Sequence, residues 1–135
     1  MEVSHEVSGS TVNVARLPGR DEVFAAGCPS RVVLDHVTSK WGVLVLVSLA
    51  DGPQRWSELR RRAEGISEKM LAQTLRTLER DGLVLREALP VVPPHVEYSL
   101  TGLGSDLVER LLPLVVWAAE HGPEVRDRWD DPLGA

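Results

Sequence analysis

Lys69, Gln73, Arg76 and Arg80 recur at intervals of four, three and four residues. That spacing lines side chains up along one face of an α-helix, and Thr77 flanks the row. Each alone reads as a solvated side chain; as a row beside a capped turn and a hairpin, the chemistry they could share is the recognition of duplex DNA. A glutamine amide pairs bidentately with adenine and an arginine guanidinium with guanine, so Gln73 and Arg76 are the candidate base readers. Lys69 and Arg80 lie nearer the ends of the face and are the candidate phosphate contacts. Ser67, just ahead of the row, can cap the helix, and with the free amides of the first turn it can hold a phosphate. The chain offers no competing chemistry of similar organisation. His5, His36, His95 and His121 are scattered without metal-ligand spacing, and Gly102 and Gly104 open a helix rather than a phosphate loop. No serine, histidine and acid arrangement stands out. Neither catalysis, a metal nor a cofactor is expected.

The elements that must position this row are legible on both sides of it. Ser67 starts the helix with Glu68, Lys69 and Met70 in its first turn. Ile66 and Leu71 have the spacing of a hydrophobic staple. Leu71, Leu75 and Leu78 form a buried stripe, and Gly82 ends the helix. Ahead of it a short helix is expected from a Ser57 N-cap, with Glu58 in the first turn, Leu59 and Ala63 on one face, and Gly65 as its end. Two short helices joined by Glu64-Gly65-Ile66 have the layout of a helix-turn-helix. A hairpin follows. Leu83 to Leu89 forms one strand and Val96 to Leu100 the other, with Val96, Tyr98 and Leu100 alternating inward against Glu97 and Ser99. Between them Pro90-Val91-Val92-Pro93-Pro94-His95 makes a stiff tip. The whole reads as mainly α with a small β-hairpin wing, a winged helix-turn-helix. The wing tip reaches toward a minor groove or the DNA backbone, with Arg86 and His95 as donors.

Elsewhere the pattern is weaker. Pro29 suits the first turn of a helix, and Val32, Val33, His36 and Val37 follow at helical spacing. Lys40 to Ala50 is nearly all apolar and fits a buried strand or a buried helix equally; Asp51-Gly52-Pro53 then turns the chain. Thr101 caps a long helix whose apolar arc, with Leu103, Leu107, Leu111, Leu114 and Ala118 widened by Val108, Leu112 and Val115, exceeds one small core. Helix packing between two chains is the expected use, with Pro113 kinking or breaking the helix. Three segments are expected: residues 1–24 as a flexible or partner-contacting arm, 25–120 as the DNA-binding and dimerising domain, and 121–135 as an acidic tail.

Composition sets the bounds. The chain has 135 residues, 43% of them hydrophobic, which suits one domain with a real core. No apolar run is long enough to span a membrane and no secretion signal is read at the start, so a cytoplasmic location is expected. A single cysteine excludes an internal disulfide framework. The net charge of −5 argues against DNA binding until its distribution is considered. From Arg55 to Arg86 eight basic residues outnumber five acidic ones, leaving +3, while the other 7 basic and 15 acidic residues carry −8. The basic excess therefore coincides with the helix-turn-helix and the wing. A winged-helix module that binds protein rather than DNA is the alternative; apolar or acidic residues would then be expected where Gln73 and Arg76 stand. Cys28 stands just before the Pro29 helix, a setting in which a reactive, redox-sensing thiol is expected, and an inert half-buried thiol is the competing reading.

These pieces, in order, resemble the HxlR family of winged helix-turn-helix regulators, related to the MarR group. The matching residues are Cys28-Pro29; Lys40-Trp41 with Leu44; Arg55-Trp56 with Glu58-Leu59; Gly65-Ile66-Ser67 with Lys69-Met70-Leu71; Leu75-Arg76 with Leu78-Glu79; and Asp81-Gly82-Leu83-Val84 with Arg86. Val92-Pro93-Pro94 with Val96-Glu97-Tyr98-Ser99-Leu100-Thr101, then Gly104, Leu107 and Trp117, complete the series. They cover about two thirds of the chain. The resemblance implies a homodimer, made by the first and last helices, that binds double-stranded DNA at an imperfect inverted repeat and acts most often as a repressor. It also implies control through a cysteine at the place of Cys28 in some relatives and through small molecules in others. Trp41, Val43 and Trp117 are the candidate lining of an effector pocket. This chain departs from the pattern in having Trp56 for the usual phenylalanine, His95 for the usual arginine, and a longer lead-in over 1–24.

Overall fold

A computed structural model describes residues 4–7, 10–13, 25 and 27–130. The chain divides into two units, Met1–His36 and Val37–Ala135, which are taken separately. In the first, β1 (Ser4–Val7) pairs antiparallel with β2 (Ser10–Asn13), Ser4 opposite Asn13 and Val7 opposite Ser10. The rest of the expected 1–24 arm lies outside the described residues. Helix α1 (Pro29–Val37) begins at Pro29 as expected, its missing N–H falling where no helical bond is made.

The second unit orders α2 (Lys40–Ser48), a 3-10 turn over Leu49–Asp51, β3 (Gln54–Arg55), α3 (Trp56–Arg62), α4 (Glu68–Arg80), β4 (Val84–Leu89), β5 (His95–Leu100) and α5 (Gly102–Asp127). The strands form one antiparallel sheet in the order β3-β5-β4. The core joins every element but β3: Val45, Leu46 and Leu49, Leu59 and Ala63, Leu71, Leu75 and Leu78, Val84 and Tyr98, Val108 and Leu111.

The ambiguous run from Lys40 is a helix. The hydroxyl of Ser39 accepts from the Gly42 amide at 3.1 Å, and Gly42, Val45, Leu46 and Leu49 are buried at helical spacing. The hydroxyl cap and packing on several sides override the strand preference of the valines. The carbonyl of Ser48, near the end of α2, accepts from the buried Gln54 amide and from Arg62 at 3.2 Å, and Arg62 also meets Asp51 at 2.9 Å. A cation placed at the negative end of the helix is favourable.

Two expectations for the helix ends need correction. Helix α3 starts at Trp56, with Arg55 rather than Ser57 at its N-cap. The cause is β3, which pairs Gln54 with Tyr98 and Arg55 with Glu97 and delivers extended backbone up to Arg55. The Glu58 carboxylate then accepts from the Arg55 amide at 2.9 Å. Second, α3 ends at Arg62, ahead of Gly65, which supplies positive φ (93°) to the turn. Helix α5 also runs unbroken past Pro113 and Pro123, to Asp127, so the first residues of the acidic segment are helical.

The root of the wing is tightly bound to the start of α5. The hydroxyl of Thr101 donates to Gly82 O at 2.6 Å and accepts from Gly104 N at 3.0 Å, while Thr101 N donates to Leu83 O at 3.1 Å. A Cβ on Gly104 would lie 2.1 Å from that same Leu83 carbonyl oxygen, whereas one on Gly122 meets nothing within 4 Å. Gly104→Ala is therefore expected to cost about 2–3 kcal/mol, because backbone cannot move aside as a side chain can. Gly122→Ala is expected to be stabilising by about 0.5–1 kcal/mol. Urea unfolding of both variants checks the pair, and equal effects would contradict the packing described.

Candidate nucleic-acid interface

Helix α4 is fixed at both ends. The hydroxyl of Ser67 accepts from Met70 N at 3.0 Å, and Ile66 before it and Leu71 after it are both buried, completing the hydrophobic staple. At the other end Gly82 has φ of 76°. Leu83 N donates to Leu78 O and Gly82 N to Glu79 O, each at 3.0 Å, a Schellman closure sealed by the buried pair Leu78 and Leu83. Between these ends Leu71, Leu75 and Leu78 are at most 2% exposed.

That burial sets the rotation of the helix. At about 100° per residue, Lys69, Gln73, Arg76 and Arg80 fall within roughly 60° of one another, opposite the leucines. All four are exposed, and Thr77 is half-buried on the flank. The expected row is thus assembled as one outward face. Among the described residues Lys69, Arg76, Arg80 and Arg86 form no ion pair, so their charges are uncommitted. By contrast, Arg60 on α3 meets Glu68 on α4 at 3.1 Å. This exposed bridge spans the turn between the two helices and contributes little stability in water.

The two wing candidates are separated. Opposite residues of an antiparallel pair share a face. Arg86 stands opposite Tyr98, on the face that carries Val84 and Leu100. His95 stands opposite Leu89, on the other face, with Glu87 opposite Glu97 and Arg55 beyond. Arg86 and His95 thus do not form one patch, and the outer face of the wing is acidic.

The remaining candidates lie elsewhere. The carbonyl of Cys28 accepts from Val32 N at 3.1 Å, and the residue is half-buried at the start of α1. Trp41 and Val43 pack against the core of the second unit; Lys40 Nζ lies 4.3 Å over the Trp41 ring. Trp117 is 53% exposed on α5 and stacks on His121 with ring centroids 4.8 Å apart. Arg61, which is not among the sequence-derived candidates, is exposed on α3 without an ion pair among the described residues. The first helix of such a pair crosses the DNA backbone, and only the triple-arginine run signalled it.

A capped reading helix on a helix-turn-helix, followed by a hairpin wing, defines a winged helix-turn-helix protein. Residues 36–126 match the HxlR-like helix-turn-helix family, and the chain belongs to that family: it is a DNA-binding transcriptional regulator. It is 53% identical over 116 residues to the HTH-type transcriptional regulator YtfH of Escherichia coli, covering 86% of this chain and 92% of that one. The solved structure of the ytfH regulator from Salmonella typhimurium aligns with a TM-score of 0.74 at 54% identity, over 80% of this chain and 96% of its own. The redox regulator HypR in its oxidised form aligns with a TM-score of 0.65 at 40% identity, over 69% and 96%. A MarR-family regulator from Porphyromonas gingivalis aligns with a TM-score of 0.59 at 38% identity, over 73% and 93%. Among the described residues no single helix is long and apolar enough to cross a membrane.

The outward row and the fold use different residues of α4. Ser67→Ala is expected to lower stability by about 1 kcal/mol through loss of the cap, while Gln73→Ala stays within about 0.5 kcal/mol of the parent. Thermal unfolding of both variants checks this, and a large loss at Gln73 would mean that residue serves the core.

Proposed function

We propose that the chain acts as a cytoplasmic homodimer on an inverted-repeat operator and represses transcription there. The observation that carries this reading is the outward row of Lys69, Gln73, Arg76 and Arg80, uncommitted and opposite the buried leucines. Gln73 and Arg76 read base edges in the major groove. Lys69, Arg80 and the Ser67 turn hold phosphates, with Thr77 at the edge of the contact. Arg86 and His95 serve the wing from its two faces. Residues 25–120 are the DNA-binding and dimerising domain, 1–24 an arm and 121–135 an acidic appendage.

Dimerisation is supported by α5. Gly104, Val108 and Leu111 of its inner face are buried, yet Leu103, Leu112, Leu114, Val116 and Trp117 remain exposed, more apolar surface than one helix of a monomer normally leaves. Two-fold symmetry would place the reading helices about one DNA turn apart. Control by oxidation through Cys28 is supported by its place before α1 and by the likeness to the redox regulator HypR. With one cysteine in the chain, a disulfide links two chains or a small thiol. A small apolar effector is the other form of control, with Trp41, Val43 and Trp117 as the aromatic and aliphatic groups available to it.

The test is fluorescence anisotropy on the promoter duplex beside the protein's own gene against a scrambled duplex, at two salt concentrations. Preference for the promoter that falls steeply with salt is expected. Arg76→Ala should cost about 1–3 kcal/mol on the promoter and little on the scrambled duplex; Lys69→Ala should weaken both and reduce the salt slope by about 1. Equal losses on both duplexes in both variants would sink the division of roles. Diamide is expected to change promoter affinity of the parent and not of Cys28→Ser; an unchanged parent would remove Cys28 from the regulation.

A further inference from the structure

The tip of the wing carries chemistry that the phosphate and base contacts do not use. Leu89 and His95 form the last rung of the hairpin, and beyond it lie only Pro90, Val91, Val92, Pro93 and Pro94. From Ala88 to Pro94 there is no charged residue, in a chain where 26% are charged. Val92 is 99% exposed and Val91 43%. The nearest acids, Glu87 and Glu97, face each other two rungs below the tip, and Arg86, the one cation of the hairpin strands, lies further down, on the opposite face to His95. An arm built to neutralise phosphates would place its cations at the tip. This one places aliphatic carbon there and holds it with three prolines.

We propose that Val92 and its neighbouring prolines form an apolar wedge that enters the minor groove, opens a base step and bends the operator. The inference rests on the DNA-binding reading above and names how the wing takes part in it. Three physical points favour the DNA as occupant. First, the Schellman closure at Gly82 and the Thr101 bonds tie the wing root directly to the end of the reading helix, so the tip is held relative to α4. Second, a six-residue strand extends about 17–20 Å. That equals about half of a DNA turn of 34–36 Å, the axial distance from a major groove to the next minor groove. Third, apolar side chains that include proline are the type that proteins insert between base steps from the minor groove, unstacking them and kinking the duplex. Proline stiffening removes part of the ordering cost that a flexible tip would carry on binding.

Two consequences distinguish this wedge from a cationic wing. The tip releases no counterions, so it adds affinity without adding to the salt slope. It also favours an easily unstacked pyrimidine–purine step, TA or CA/TG, where it enters, and disfavours a stiff A-tract there.

The experiment uses the full chain and a duplex selected by the parent protein from a random pool. Anisotropy at several salt concentrations gives affinity and slope, and energy transfer between end-labelled dyes gives the bend. Val92 has no neighbour to lose, so Val92→Ser leaves the fold intact, which thermal unfolding confirms. The expected result is a bend on the parent complex that shrinks in Val92→Ser, with affinity lower on the order of tenfold and the salt slope unchanged. Replacing the flexible step by an A-tract should weaken the parent and leave Val92→Ser little changed. Val92→Arg should steepen the slope by about 1. If Val92→Ser binds and bends the duplex as the parent does, the wedge is overturned and the tip becomes a surface for a protein partner. If affinity and salt slope fall together, the wing is a phosphate arm and the wedge is again wrong. Failure of the parent to select any sequence overturns the DNA reading itself, a result separate from either outcome at Val92.

Discussion

Rotation of one helix about its own axis is the constraint on which the rest depends. Leu71, Leu75 and Leu78 bury one stripe of α4, each leucine worth about 1.5–3 kcal/mol on removal from water. Turning the helix by a single residue would expose that stripe and carry polar groups into the core. The outward face is therefore not chosen by its own residues. Lys69, Gln73, Arg76 and Arg80 are presented because the leucines on the other side leave the helix no alternative. The Ser67 cap and the Gly82 closure then remove end fraying, so the row has a fixed length as well as a fixed direction.

The same closure couples the reading helix to the wing. Gly82 ends α4 and its carbonyl accepts from Thr101, while the Leu83 carbonyl accepts from the Thr101 amide and excludes any side chain at position 104. Three elements, α4, β4 and the start of α5, meet at this joint within a few residues. A dimer formed through α5 would transmit its geometry to the reading helix and the wing through these contacts, without a flexible linker between them.

Electrostatics completes the division of labour. The chain is acidic overall, with net charge −5, yet the α4 face has cations with no ion-pair partner among the described residues, while Arg60 and Arg62 are tied to Glu68 and Asp51. Acidity elsewhere keeps nonspecific attraction to DNA modest. Glu87 and Glu97 on the outer face of the wing push in the same direction.

Local pattern alone determined the reading helix, its two ends, the leucine stripe opposite the polar row, and the hairpin with its inward Val96, Tyr98 and Leu100, because each is encoded within a few residues by capping, periodicity or alternation. Tertiary structure decided what such short windows leave degenerate. The run from Lys40 became a helix because the Ser39 cap and packing on several sides outweighed β-branched preference. The start of α3 moved to Trp56 because a two-residue strand, too short to show in any pattern, pairs with residues more than forty positions away. Pro113 stayed inside α5, against its local tendency to break a helix. Arg86 and His95, neighbours in any reading of the wing, were sent to opposite faces by the pairing register, a property of two strands together that neither strand carries alone.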